Sequence, residues 1–217
     1  MDYAYHNIHS RIHLQKEKIV NKGIAFFDFD GTITTKDTLL EFIKFSKGRL
    51  QFMLGFLLNS PFLFAYKLKI ISNQLAKEKI LRFFFGGCAA GAFETYCSGF
   101  SAKVLPQLIR PAAIEEIRRL QKDGLTVVIV SASPENWIQY WADEMNVDLI
   151  ASKLEVVENK VTGKILGKNC HGREKVRRIF ECYSLSDYGD VVAYGDSGGD
   201  KPMLELAKTK FYKPFRK

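Results

Sequence analysis

Residues 23–37 read GIAFFDFDGTITTKD, and the carboxylates Asp28 and Asp30 stand one residue apart where an apolar run ends. In an extended strand the side-chain period is two, so both can project to one side while Phe29 points away. Like charges this close raise one another's pKa unless a cation neutralises them. A divalent ion held by few protein oxygens, with water and phosphate completing its shell, is the arrangement Mg2+ prefers. Asp196, in DVVAYGDSGGD, offers another hard oxygen at the end of a second apolar run, and Asp200 follows four residues later. The same acids suit phosphoryl transfer. One carboxylate can attack phosphorus to form an acyl phosphate, and the other can protonate the leaving alcohol and then activate water. Ser131, in LTVVIVSASPEN, can donate its hydroxyl to a phosphate oxygen, helped by backbone N–H groups that follow it, Ala132 first. Lys175, in HGREKVRRI, falls at the start of a helix and can balance the spreading charge.

Each element alone is weak. A D-x-D at a strand end is equally a turn or a cap, a serine after a strand is usually an N-cap, and a helix lysine is usually solvated. Their joint order (DFDGT, SAS, Lys, GDSGGD) is far less expected by chance.

The elements that must position these residues follow from patterning. IAFFDFDGT, LTVVIVSASPEN and DVVAYGDSGGD each carry a short continuous apolar run, as strands of a parallel sheet covered on both faces do. Residues 111–122 form an amphipathic helix closed by KDG, with Ile114, Ile117 and Leu120 on one face. Ser133 reads as an N-cap with Pro134 at the first helical position and Glu135 in the first turn. Residues 151–166 read as a β-hairpin turning at Glu158–Lys160. Strands alternating with helices predict a doubly wound α/β core. Segment 36–105 differs: it is helical in pattern and rich in Phe and Leu. Its most apolar part, 52–66, has no charge and is interrupted at Asn59-Ser60-Pro61, too short and broken for a simple spanning helix. It predicts a helical hairpin that packs on the core or dips into a membrane interface.

Composition bounds the rest. The 217 residues suit one α/β domain with an insertion, and 47% hydrophobic with 26% charged residues excludes bulk disorder. The formal charge of +8 is concentrated in residues 36–85, which hold nine Lys or Arg against three Asp or Glu. Such a patch attracts an anionic surface or a phosphorylated substrate; only the charge itself speaks for nucleic acid, and no such partner is expected. Cys88, Cys97, Cys170 and Cys182 form no C-x-x-C pair, and there is no signal peptide, so reduced thiols in a cytoplasmic protein are expected. His6, His9 and His13 can share a helical face, but no Cys or carboxylate pattern supports a metal site there. A phosphate-binding P-loop and a dinucleotide fingerprint are both missing.

Across 23–205 this order resembles the haloacid-dehalogenase-like hydrolase superfamily, in its phosphoserine-phosphatase-like subfamily. The resemblance implies a Rossmann-like doubly wound parallel core (23–35 and 106–217), an inserted all-helical cap (36–105) and an N-terminal extension (1–22). It implies Asp28 as nucleophile, Asp30 as general acid/base, Ser131 and Ala132 at the phosphate, and Lys175 as the third-motif lysine with Lys168 as competitor. Mg2+ would be held by Asp28, the Asp30 carbonyl and Asp196, with Asp200 supporting the shell. The second Asp of the first motif marks phosphatases and phosphotransferases. Phosphoserine phosphatases usually carry Ser at Gly31, Glu at Asp37 and Asn at Gly199, so a free amino-acid phosphate is less well matched here. The apolar, basic cap is similar to that of the phosphatidylglycerophosphate phosphatase C enzymes of the subfamily. The implied activity is a Mg2+-dependent phosphatase acting on a lipid phosphate or a phosphoserine-like small phosphate, cytoplasmic or peripheral at the inner membrane face. A phosphotransferase or phosphomutase, or a non-catalytic membrane-surface protein of the same fold, are the alternatives.

Overall fold

A computed structural model describes residues 23–216; the extension 1–22, with His6, His9 and His13, lies outside the described residues. In chain order the elements are β1 (Ile24–Phe27), α1 (Thr38–Lys67), α2 (Asn73–Phe85), β2 (Cys88–Ala89), α3 (Ala90–Lys103), α4 (Leu105–Leu108) and α5 (Pro111–Lys122). Then come β3 (Thr126–Pro134), α6 (Glu135–Met145), β4 (Asp148–Ser152), β5 (Leu154–Val157), β6 (Lys160–Ile165), α7 (Arg173–Cys182), β7 (Val191–Gly195), α8 (Lys201–Leu204) and β8 (Thr209–Tyr212).

The main sheet is parallel in the order β4-β3-β1-β7-β8. The chain winds from β1 through β3 to β4, then crosses back to β7 and β8. This reversal puts the topological switch point, where open α/β sheets bind ligands, between the C-terminal ends of β1 and β7. The apolar run of β1 is fully buried because both faces are covered: Ala25 and Phe27 enter one core cluster, Ile24 and Phe26 the other. On the first face Phe27 stacks on Tyr194 at 4.0 Å, and α5 and α6 pack there; on the second, Ile179 of α7 and Met203 of α8 do.

Residues 36–105 are mainly helical, interrupted by turns at 68–72 and 86–87 and by the two-residue strand β2, which pairs with β6 in a small antiparallel sheet, β2-β6-β5. The hairpin turns where expected, with Glu158 and Asn159 both at positive φ, as a two-residue primed turn requires. Its first strand begins only at Leu154, because Ala151 and Ser152 belong to β4 of the main sheet. The break expected at Pro61 is elsewhere. Helix α1 runs through Asn59, Ser60 and Pro61 and is kinked at Gly48 (φ 81, ψ 161). The buried Asn59 side chain is satisfied within the helix, donating from Nδ2 to the Gly55 carbonyl at 2.8 Å.

The cap aromatics divide into two groups. Phe42 lies at the centre of a buried cluster, stacked on Trp137 of the core at 4.5 Å and within 5.6 Å of Phe85, Phe93 and Phe100. The outer face of α1 beyond Gly48 is left exposed.

Helix α7 is anchored by a carboxylate that two arginines share. Glu174 accepts from Arg177 at 2.6 Å and from Arg178 at 3.1 Å, and these bonds hold its pKa down at about 2. A depressed acid contributes stability above its unfolded pKa and loses it as pH falls through the folded value. Glu174→Gln should therefore lower Tm at pH 7 by a few degrees, about 4 °C, and this deficit should shrink steadily below about pH 4. A deficit independent of pH would refute the ionic account.

Candidate active site

Strand β1 ends at Phe27, so the two acids lie past the strand rather than on it. Their backbones are extended, Asp28 at φ −67, ψ 157 and Asp30 at φ −72, ψ 118, but Gly31 turns the chain at φ 83. One wide turn closes where the Thr34 N–H donates to the Phe29 carbonyl at 3.0 Å. The carboxylates consequently diverge to different partners. Asp28 Oδ1 accepts from Lys175 Nζ at 2.6 Å, and Oδ2 accepts from Thr32 Oγ1 at 3.1 Å. Asp30 Oδ1 accepts from the Thr38 N–H at 2.6 Å, and Oδ2 from Ser133 Oγ at 2.6 Å.

Lys175 is 1% exposed and all three of its donors are engaged: Asp28 Oδ1 (2.6 Å), the Val130 carbonyl (2.6 Å) and Asp200 Oδ1 (2.8 Å). Burial opposes its charge, but Asp28 and Asp200 outweigh that and raise its pKa. Asp28 is pushed up to about 7, chiefly by burial, with Lys175 opposing and Asp200 adding. The competing Lys168 is exposed, and its carbonyl accepts from Arg178 at 2.6 Å.

Asp200 Oδ2 accepts from the Asp196 N–H (3.2 Å), the Ser197 N–H (2.9 Å) and Ser197 Oγ (2.7 Å), which fixes the loop after β7. Asp196 is bonded by the Arg216 guanidinium. Carboxylate oxygens of Asp28, Asp196 and Asp200 lie within 4.8 Å of one another. Gly31 makes room for this cluster, since a Cβ there would sit 2.5 Å from Asp196 Oδ2. Three hard oxygens in so small a space, one on a carboxyl that burial destabilises as an anion, fit a small divalent cation. The Asp30 carboxylate is not among the three.

Ser131 is fully buried and its Oγ accepts from the Ser133 N–H at 3.0 Å. The β3–β4 ladder is irregular between Ser131 and Pro134. Helix α6 starts at Glu135 with Pro134 as its N-cap residue, one position later than expected. This releases Ser133 from capping and turns it inward. A chain of hydrogen bonds results: Trp137 Nε1 to Thr38 Oγ1 (3.1 Å), Thr38 Oγ1 to Ser133 Oγ (3.3 Å), Ser133 Oγ to Asp30 Oδ2 (2.6 Å). Ser133→Ala should lower kcat on a soluble aryl phosphate about tenfold with little change in KM; an unchanged kcat would show that Asp30 needs no such support.

Lys77, on α2, was not singled out by motif. It is half-buried, and its Nζ donates to the Ala132 carbonyl at 2.9 Å. Burial lowers its pKa, with Asp30 and Asp37 opposing. Its signal in the sequence is a cation beside Ala76, Ile80, Leu81 and Phe84, the buried stripe of α2. Asp37 caps α1, Oδ1 accepting from the Leu40 N–H at 3.1 Å. At Gly199 a Cβ would overlap the His171 ring, so an asparagine there would need that exposed side chain to move aside.

A parallel switch-point sheet with clustered acids and a helical insertion after β1 defines an aspartate-centred hydrolase fold. The chain belongs to the haloacid dehalogenase-like hydrolase family, whose model matches residues 25–205. Protein CicA of Caulobacter vibrioides is 34% identical over 195 residues, 89% of this chain and 86% of that protein. A phosphoserine phosphatase of Archaeoglobus fulgidus is 30% identical over 98 residues, 44% of this chain and 28% of that protein. Among solved structures, a protein of unknown function from Bordetella pertussis Tohama I has a TM-score of 0.77 at 21% identity, covering 88% of this chain and 89% of its own. An aspartyl-phosphate intermediate analogue of phosphoserine phosphatase has a TM-score of 0.65 at 18% identity, covering 88% and 85%.

Proposed function

We propose that the protein is a Mg2+-dependent phosphomonoesterase working through a phospho-Asp28 intermediate. The observation that carries this reading is the buried Lys175 bridging Asp28 and Asp200 at the switch point, with Asp196 beside them. Asp28, Asp196 and the Asp30 carbonyl would hold the metal, with Asp200 supporting. Bound there, Mg2+ would offset charge on the phosphate and on Asp28.

In the first step an Asp28 oxygen attacks phosphorus, the bond to the ester oxygen breaks, and that oxygen takes the proton held by Asp30. In the second, Asp30 takes a proton from water as its oxygen attacks phosphorus. The bond to Asp28 breaks, and inorganic phosphate leaves with Asp28 ionised and Asp30 protonated as at the start. Ser131 accepts from the Ser133 N–H, which leaves its own O–H to donate to a phosphate oxygen; the Ala132 N–H would add a second donor. Lys175 opposes the burial that disfavours the Asp28 carboxylate and balances charge as it spreads.

For the substrate, a lipid phosphate monoester such as a phosphatidylglycerophosphate is the first reading, since the cap is basic and exposes apolar surface. Lys77 adds a cap-borne cation for an anionic group. A phosphoserine-like small phosphate is the second reading, favoured by the phosphoserine phosphatases among the relatives. The test is phosphate release with Mg2+ and then EDTA, on phosphoserine, sugar and nucleotide monophosphates and phosphatidylglycerophosphate in detergent. Release should stop in EDTA and return with Mg2+. Release unaffected by EDTA would overturn the metal role, and release that requires an alcohol acceptor would reveal a phosphotransferase.

A further inference from the structure

We infer that the outer face of α1 is a docking surface for an anionic lipid bilayer. Between Arg49 and Lys67 the chain carries no charge. One face of this stretch, with Phe52, Phe56 and Leu63, packs against the core cluster. The other face presents Leu50, Met53, Leu54, Leu57, Leu58 and Phe64 to solvent, with Leu50 71% and Leu57 70% exposed. The spacing of these residues is helical, so they form a second apolar stripe along the same helix. A helix at a water interface shows one such stripe; one that is apolar on both faces belongs in a core or in lipid. Among the described residues nothing covers the second stripe.

Charge selects the occupant. Residues 42–77 hold six Lys or Arg and no Asp or Glu. Arg49 lies at one end of the exposed stripe and Lys67 and Lys69 at the other. A second copy docked by a two-fold axis would press these basic ends against their own kind. Anionic headgroups meet them with opposite charge while acyl chains receive the leucines and Phe64. No described helix is long and apolar enough to cross a membrane, so the helix lies in the interface plane.

The test is sedimentation of the full chain with phosphatidylcholine vesicles, with and without phosphatidylglycerol. Binding should require the anionic lipid and weaken with salt. Met53→Glu/Leu57→Glu/Leu58→Glu should bind at least about tenfold more weakly, with an unchanged Tm because all three side chains are exposed. Lys67→Gln/Lys69→Gln should weaken binding about tenfold at low salt, and the loss should vanish at high salt. Failure of the full chain to bind anionic vesicles, or equal binding by the triple variant, would overturn the inference. So would a concentration-dependent dimer abolished by the triple variant in the absence of vesicle binding, which would give the face to a second copy. Sedimentation reads no catalysis, so this result and that of the phosphatase assay fail or succeed separately.

Discussion

Asp28→Asn is expected to remove turnover of every phosphate monoester, by at least about 10^4-fold in kcat, with the fold retained. The amide keeps the shape of the carboxylate: its oxygen can still accept from Lys175, now at 2.6 Å, while its Nδ2 can donate to the Thr32 hydroxyl, now at 3.1 Å. It cannot act as the nucleophile that the reaction needs. Because Asp28 is buried and its charge is disfavoured there, the neutral variant should be at least as stable as the parent. Thermal unfolding beside a burst assay checks both halves. Retained activity would remove Asp28 from the nucleophile role; loss of activity with loss of fold would leave Asp28→Glu, which keeps the charge but shifts the oxygens, as the second probe.

The second large effect is expected at Lys175. Lys175→Met leaves Asp28 and Asp200 buried without their shared cation, and breaking a buried ion pair from one side costs roughly 3–5 kcal/mol. Activity should fall by about 10^2-fold or more. The double variant Lys175→Met/Asp200→Asn separates these two consequences: stability should recover, since one uncompensated carboxylate is gone, while activity stays low. Recovery of both would mean that Lys175 serves the fold alone. As a milder companion, Asp30→Asn should slow both steps strongly while Asp28 and Lys175 keep their contact.

Much of the positioning was legible in local patterning. The apolar runs before Asp28, Ser131 and Asp196 mark strands because a parallel strand buried on both faces tolerates only such residues, and the three stand at neighbouring strand ends. Lys175 stands at a helix start, and the structure brings it, not Lys168, against Asp28. What was hidden depends on contacts distant in sequence. Asp30 is supported by Ser133, 103 residues away, and the helix-start pattern alone made Ser133 a cap. Lys77 lies on a helix whose inward direction only tertiary packing reveals. Pro61 is the stronger local breaker in α1, yet the kink is at Gly48. The cap's aromatics carry one composition but two fates, because hydrophobicity does not say which side of a helix meets a neighbour.

The hydrogen-bond chain from Trp137 to Asp30 passes through the start of α1. Thr38 is the first residue of α1, the point where the cap leaves the core, and it touches Asp30 through its N–H and the indole through its hydroxyl. Any swing of the cap about that point strains both bonds together. Displacement of Thr38 is therefore expected to shift the emission of the Trp137 indole, read with Trp141 replaced by Phe, at the same time as it loosens the hold on Asp30.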